Sequence, residues 1–135
     1  QKEASSLSTK SFPNDSYEML CRVNKLRREN GKSELRLDQR LNEAAQKHAA
    51  EMARNKKMSH VGFTSDTKEF NARIKLSGYI PTYSGENVAF NQKNIAQAMN
   101  SWTISEGHRA NLLGDHYECL GYGMVDLYWA QELAS

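Results

Sequence analysis

Apolar residues first recur at helical spacing after residue 15, where Met19, Leu20, Val23 and Leu26 share one face and Asn30-Gly31 supplies a helix-ending pair. Asp38 is placed to cap a second helix, in which Leu41, Ala44, Ala45, His48, Ala49 and Met52 form one stripe. Its alanines let a neighbouring element approach closely, and His48 on that stripe reads as a packed, hydrogen-bonded core histidine. The same period predicts a third helix over 69–77 with Phe70, Ile74 and Leu76 inward, stopped by Gly78 and Pro81. A fourth runs over 91–105 with Ile95, Ala98, Met99 and Trp102, and a short fifth turn covers 109–113. The period then changes. Residues 119–125, with Gly121-Tyr122-Gly123, and 127–133, with Tyr128-Trp129, read as two strands joined by a turn at Asp126. Shorter strands are expected at 59–63 and 86–90. Helices on either side of a small, mostly antiparallel sheet would bury both kinds of apolar face, which places the chain in the α+β class. Residues 1–15 lack periodicity and read as a flexible lead-in, leaving 16–135 as a single domain.

Composition narrows the function classes. With 135 residues the chain is too short for separate cofactor and substrate domains. At 39% hydrophobic and 25% charged it is too rich in core formers for global disorder. No apolar run reaches the roughly 18 residues of a bilayer-spanning helix, so no transmembrane segment is expected. Net charge is only +2, although residues 22–57 hold eleven Lys and Arg against five Asp and Glu. Those charges alternate with apolar residues at helical spacing, and no aromatic residue interrupts them, so solvated helix faces are expected and no nucleic-acid partner. Cys21 and Cys119 form no CxxC pattern. They admit either a bridge closing a long loop, worth about 4.7 kcal/mol in the chain-entropy model, or two free thiols. Asn14-Asp15-Ser16 is a glycosylation sequon, relevant only in a secretory pathway.

Three polar groups lie at the edges of predicted elements: His60, Glu86 and His108. Two imidazoles and a carboxylate suffice for an open divalent-metal site, although no HExxH is present. The bland alternative is a structural cluster in which the histidines simply hydrogen-bond Glu86. Ser105 and His108 fall on one turn, yet neither a nucleophile-elbow pattern nor an orienting acid accompanies them, which argues against serine catalysis. Trp102, Tyr128 and Trp129 read as core, Arg109 as a helix-end charge, and Asn87 as a partner for buried backbone groups.

Several short motifs appear in a fixed order: Asn24-Lys25-Leu26-Arg27, Leu41-Asn42-Glu43-Ala44-Ala45-Gln46-Lys47-His48-Ala49, Met58-Ser59-His60 and Gly85-Glu86-Asn87-Val88-Ala89. Ser101-Trp102, Gly107-His108-Arg109-Ala110-Asn111-Leu112-Leu113, Gly121-Tyr122-Gly123 and Tyr128-Trp129-Ala130-Gln131 follow. Together they resemble the CAP superfamily, also called SCP/TAPS, which includes cysteine-rich secretory proteins, antigen 5 and plant pathogenesis-related proteins of class 1. The likeness spans residues 17–133 and is strongest to the compact bacterial and simpler fungal branch. It implies a three-layer α/β/α sandwich with a central cleft holding two histidines and two acids. His60, Glu86 and His108 match three of these, and Ser105 stands where the second acid is usual, with Glu106 beside it. The resemblance thus implies a secreted, extracellular protein with His60 and His108 as metal ligands, Glu86 and Ser105 beside the bound group, and Zn²⁺ as the expected cation. It also implies a small hydrophobic ligand, a sterol or fatty acid, and a protein receptor as a further partner. The aromatic loop 78–83 is expected to wall an apolar groove. A metal-assisted hydrolase using the His/Glu cleft is the competing reading.

Overall fold

The computed structural model describes residues 12–135. Most of the expected lead-in lies outside them, and its end moves, because Pro13 in extended conformation opens α1 at Asn14, giving Asn14–Glu29. There follow β1 (Arg36–Leu37), α2 (Gln39–Asn55), α3 (Phe70–Leu76), β2 (Ser84–Phe90), α4 (Ile95–Ile104), α5 (Glu106–Leu112), β3 (Cys119–Val125) and β4 (Tyr128–Ala134). Caps explain several boundaries. Asp38 accepts from the amides of Arg40 at 2.8 Å and Leu41 at 3.4 Å, left-handed Lys56 ends α2, and Asn94 accepts from the Gln97 amide at 2.9 Å.

The sheet runs β1-β3-β4-β2, with β4 antiparallel to both neighbours and β1 parallel to β3. Alternation along β4 sends Trp129 and Leu133 into the core shared with α1 and α4, while Tyr128, Ala130 and Ala134 face the layer of α2 and α3. The α/β/α sandwich follows from that two-sided burial.

Helix α2 lies directly on β3. A side chain at Gly121 would collide with the backbone of Leu41 and Asn42, and one at Gly123 with that of Gln46. β1 covers only Cys119 and Leu120. The next free amides, those of Tyr122 and Met124, donate instead to Asn42 Oδ1 at 2.8 Å and Gln46 Oε1 at 3.2 Å, so α2 also shields an open strand edge. Gly121→Ala should therefore lower stability by about 1–3 kcal/mol through overpacking. Urea denaturation checks this, and an unchanged midpoint would mean the helix yields freely.

Three expectations are corrected, and one open alternative is resolved. Residues 59–63 form no strand: Met58 and Val61 are exposed, the Gly62 amide donates to Lys68 O, and Thr64, Asp66 and Thr67 hydroxyls and carboxylate bond one another in a turn. Leu76 points outward at 60% exposure because it lies beyond the packed face of Arg73 and Ile74. The fifth helical turn starts earlier, at Glu106. The thiols are free: Cys21 is on the solvent face of α1, whereas Cys119 is buried in the opposite layer against Leu41, Ile74 and Tyr79, with the sheet between them.

Candidate functional site

β2 lies between two helical layers, so consecutive residues along it serve different layers. Glu86 turns toward α2 and α3, and Asn87 toward α4 and α5. The Glu86 side chain is fully buried and accepts from Arg73 Nη2 at 2.6 Å and His60 Nδ1 at 2.9 Å. Arg73, from α3, also donates to the carbonyls of Thr67 at 2.8 Å and His60 at 3.1 Å, so one guanidinium ties the His60 loop to the carboxylate. Opposite Glu86 in the β2–β4 register stands Glu132, with no exposed surface and no N–H or hydroxyl donor on either oxygen. Burial first, then the charge of Glu86 and a hydrogen bond to it, pushes Glu132 well above the usual carboxylate range. Burial and the facing carboxylate thus favour the neutral form of Glu132, in which it carries a proton that can be offered to Glu86. For Glu86, burial alone acts upward, but hydrogen bonds from Glu132 and His60 and the charge of Arg73 outweigh it and bring the group to about 2.

On the other side of the strand, Asn87 Nδ2 donates to His108 O at 3.3 Å and to Gln131 Oε1 at 3.2 Å. Asn111 Nδ2 donates to Glu86 O at 3.1 Å and Asn87 Oδ1 at 2.9 Å, which fixes α5 on β2. Asn87 thus does what the sequence suggested. His108 Nδ1 lies 2.8 Å from Ser105 Oγ, the residue joining α4 to α5. Burial, then the charge of His60, holds the His108 imidazole below its ordinary value, so the two rings share one electrostatic neighbourhood.

His60 has 51% of its side chain exposed, and its Nδ1 is committed to Glu86 as that of His108 is to Ser105. Nε2 is the ring nitrogen each has left for a ligand. Glu86 has no such freedom, because its oxygens serve Arg73, His60 and Glu132; it orients rather than ligates. Glu106 is an exposed first-turn residue of α5. Among the described residues, no three His, Cys, Asp or Glu side chains gather into a complete metal shell. What the described residues offer a cation is therefore two imidazole Nε2 atoms, one on the 59–63 loop and one on α5.

Sequence reasoning missed Arg73, Glu132 and Asn111. Glu132 was detectable, since it shares strand parity with buried Ala130 and Ala134. Arg73 precedes Ile74 on the packed face of a short helix, a position ordinarily unfit for an unpaired cation. His48 is buried and donates from Nε2 to Ser59 O at 2.7 Å. Trp102 and Trp129 donate to Val88 O and Gln92 O, each at 3.1 Å, as satisfied core aromatics. Arg109 bonds Asn30 Oδ1 at 3.2 Å and links α5 to the end of α1.

A concavity of about 400 Å³ lies between α2, α3 and the 62–67 turn, lined by Ala44, Ala50, Phe63, His48 and Arg73 with Lys47, Glu51 and Arg54 among its polar residues. The 78–83 loop does not wall it. Tyr79 is buried under Arg40, whose guanidinium carbon is 4.7 Å from the ring centre, and Tyr83 stacks on His116 at 4.2 Å.

Comparison with known proteins gives a consistent picture. The family model described as the cysteine-rich secretory protein family, CAP, matches residues 20–132. YlbC of Bacillus subtilis, described as an uncharacterized membrane protein, is 33% identical over 117 residues, covering 84% of this chain and 32% of that protein. An extracellular SCP-domain protein of Bacillus anthracis superposes with a TM-score of 0.84 at 26% identity over 90% of this chain and 40% of that one. An outer surface protein of Borrelia burgdorferi shares the fold at a TM-score of 0.80 and 16% identity, covering 93% of this chain and 96% of that one. The chain spans less than half the length of the curated relatives it matches. No helix among the described residues is long and apolar enough to cross a membrane.

Proposed function

Because the chain belongs to the cysteine-rich secretory protein (CAP) family, we propose that it is an extracellular binding module whose cleft takes a divalent cation, Zn²⁺ foremost, between Nε2 of His60 and Nε2 of His108. The observation that carries this is the commitment of both Nδ1 atoms to second partners, which sets each ring's orientation as metal-ligating histidines require. Bound there, the cation would supply Lewis acidity toward an oxygen ligand. Turnover is not favoured. Glu86, held at about 2 and saturated with hydrogen bonds, is a weak general base. Ser105 contacts His108, but the pair lacks an orienting carboxylate. A second reading, binding of a small hydrophobic ligand, is supported by the 400 Å³ groove, which falls within the size range of small-molecule pockets.

Titration calorimetry with Zn²⁺ near neutral pH tests the metal reading. His60→Ala or His108→Ala should weaken binding at least tenfold, whereas Ser105→Glu, giving His108 a carboxylate partner, should tighten it by about tenfold. Wild-type affinity should fall on acidification, as protons compete for imidazole, with His108 holding out below its ordinary range because burial disfavours its charged form. Identical heats from all four proteins would remove the site.

A further inference from the structure

A separate pocket of about 320 Å³ lies where the start of α1 meets α2 and the outer edge of β3. None of its described lining residues belongs to the His60–His108 cleft, and none is a Lys, Arg or His. Several of its polar side chains already serve the fold. Ser16 Oγ accepts from Asn42 Nδ2 at 3.0 Å, Asn42 Oδ1 from the Tyr122 amide at 2.8 Å, and Gln46 Oε1 from the Met124 amide at 3.2 Å. The exposed Gln39 aside, what remains is the carboxylate of Asp15 on the α1 wall, that of Glu43 on the α2 wall, and the hydroxyl of Tyr122. Glu43 has only the exposed Lys47 ammonium, at 3.9 Å.

Tyr122 is the group that the fold does not account for. The residue is more than nine-tenths buried, and its ring centre lies 5.9 Å from that of Trp129. Its hydroxyl has no hydrogen-bond partner among the described residues, yet it is not sealed in as His48 Nδ1 and Arg73 Nε are, so it keeps an opening. The carboxylate whose charge acts on it most is that of Asp15, on the pocket wall. Phenylalanine would fill the same core space, and a buried tyrosine hydroxyl ordinarily finds a partner. A place in the first turn of α1 explains Asp15, but not an unpaired phenol beside it. Burial first, then the charges of Asp15 and Glu18, raises the Tyr122 hydroxyl above its ordinary range and keeps it protonated. A neutral phenol flanked by carboxylates can accept from a positively charged donor, whereas an anion would meet Asp15 and Glu43 with no cation lining the pocket. A metal ion would lack ligands, since no three His, Cys, Asp or Glu side chains gather among the described residues.

We infer that this pocket binds primary alkylammonium groups, with an ammonium N–H donated to Tyr122 Oη, the charge set between Asp15 and Glu43, and the alkyl chain against Pro13 and Met124. The inference is independent of the metal reading, because the two sites share no residue.

Calorimetry on the intact chain at low salt compares n-butylammonium with n-butyltrimethylammonium, which keeps the charge and loses the N–H, and with n-butanol, which keeps the chain and loses the charge. n-Butylammonium should bind about tenfold tighter than either, and its affinity should fall as salt is added. Tyr122→Phe should lower that affinity about tenfold, to the level of the quaternary ion, and leave the urea midpoint in place, because the hydroxyl has no partner within the described fold. Asp15→Asn should weaken both cations and spare Zn²⁺ binding. Nα-acetyl-lysine N-methylamide carries the same head group on a peptide; binding as tight as that of n-butylammonium would support the assignment with a lysine side chain as its source, and weaker binding would support a free amine. Equal affinity for the two cations, or wild-type affinity in Tyr122→Phe, would overturn the role of the hydroxyl. A lowered urea midpoint in that variant with unchanged binding would make the hydroxyl structural. No binding of n-butylammonium at low salt would overturn the site.

Discussion

Arg73→Met is expected to lower folding stability by about 3–5 kcal/mol, the range for removing one partner of a buried ion pair. Methionine keeps most of the side-chain volume, so the loss is electrostatic rather than a cavity effect. It leaves the Glu86 carboxylate in the interior without the cation that stood 2.6 Å away, and it frees the carbonyls of Thr67 and His60. The loop bearing His60 should loosen in the same variant, so Zn²⁺ affinity should fall even though no ligand is touched. Urea denaturation at neutral pH measures the first effect and calorimetry the second. A loss under about 1 kcal/mol would show that Glu86 takes up a proton and dispenses with its cation.

Glu132→Gln should act in the opposite direction and stabilise the fold at neutral pH. The unfolded chain ionises this glutamate near pH 4.3, whereas the native pKa is raised, mainly by burial. The folded state therefore binds more protons, and the residue's contribution falls as pH rises from about 4.3 toward the native value, by at most about 1.4 kcal/mol per pH unit. Gln presents an N–H donor to Glu86 at every pH. The advantage of the variant should be small near pH 4 and grow steadily toward pH 7 and above. Thermal melts of both proteins across that interval decide it; a constant difference would mean that Glu132 is ionised in the native protein. Glu86 has the reverse sign: its lowered pKa adds stability above pH 4.3 that is lost as pH falls toward about 2.

The helices were legible because their stripes and caps are local. Leu41, Ala44, Ala45, Ala49 and Met52 mark one face of α2, and Asp38 caps it without help from the rest of the molecule. β1 was not legible, since two residues carry no period and exist as a strand only because Cys119 and Leu120 lie alongside. Residues 59–63 misled for a different reason: Val61 and Phe63 alternate with polar neighbours, yet the backbone turns back on itself, with the Gly62 amide donating to Lys68 O instead of to a neighbouring strand. Within the site, His60, Glu86 and His108 stood out by residue type at element edges. Arg73 did not, because its partner Glu86 lies 13 residues away in sequence; Glu132 was marked as buried only by its parity with Ala130 and Ala134, and its pairing appears only with Glu86 opposite it in the β2–β4 register.

The central place of β4 has a consequence for biosynthesis. A ribosome releases β2 well before the residues that flank it, because Phe90 pairs with Tyr128 and Ser84 with Ala134. Until 128–134 clear the exit tunnel, the nascent chain holds α1, α2 and β2 with no strand to join them, and Glu86 has no Glu132 to meet. Such long-range pairing closes late and slowly. The emerging segment carries apolar stripes from both layers with nothing to bury them, the state in which chains are most prone to stick to one another. A ribosome stalled shortly after residue 127 should thus display a chaperone substrate, and one stalled far enough downstream to expose β4 should display the closed sandwich.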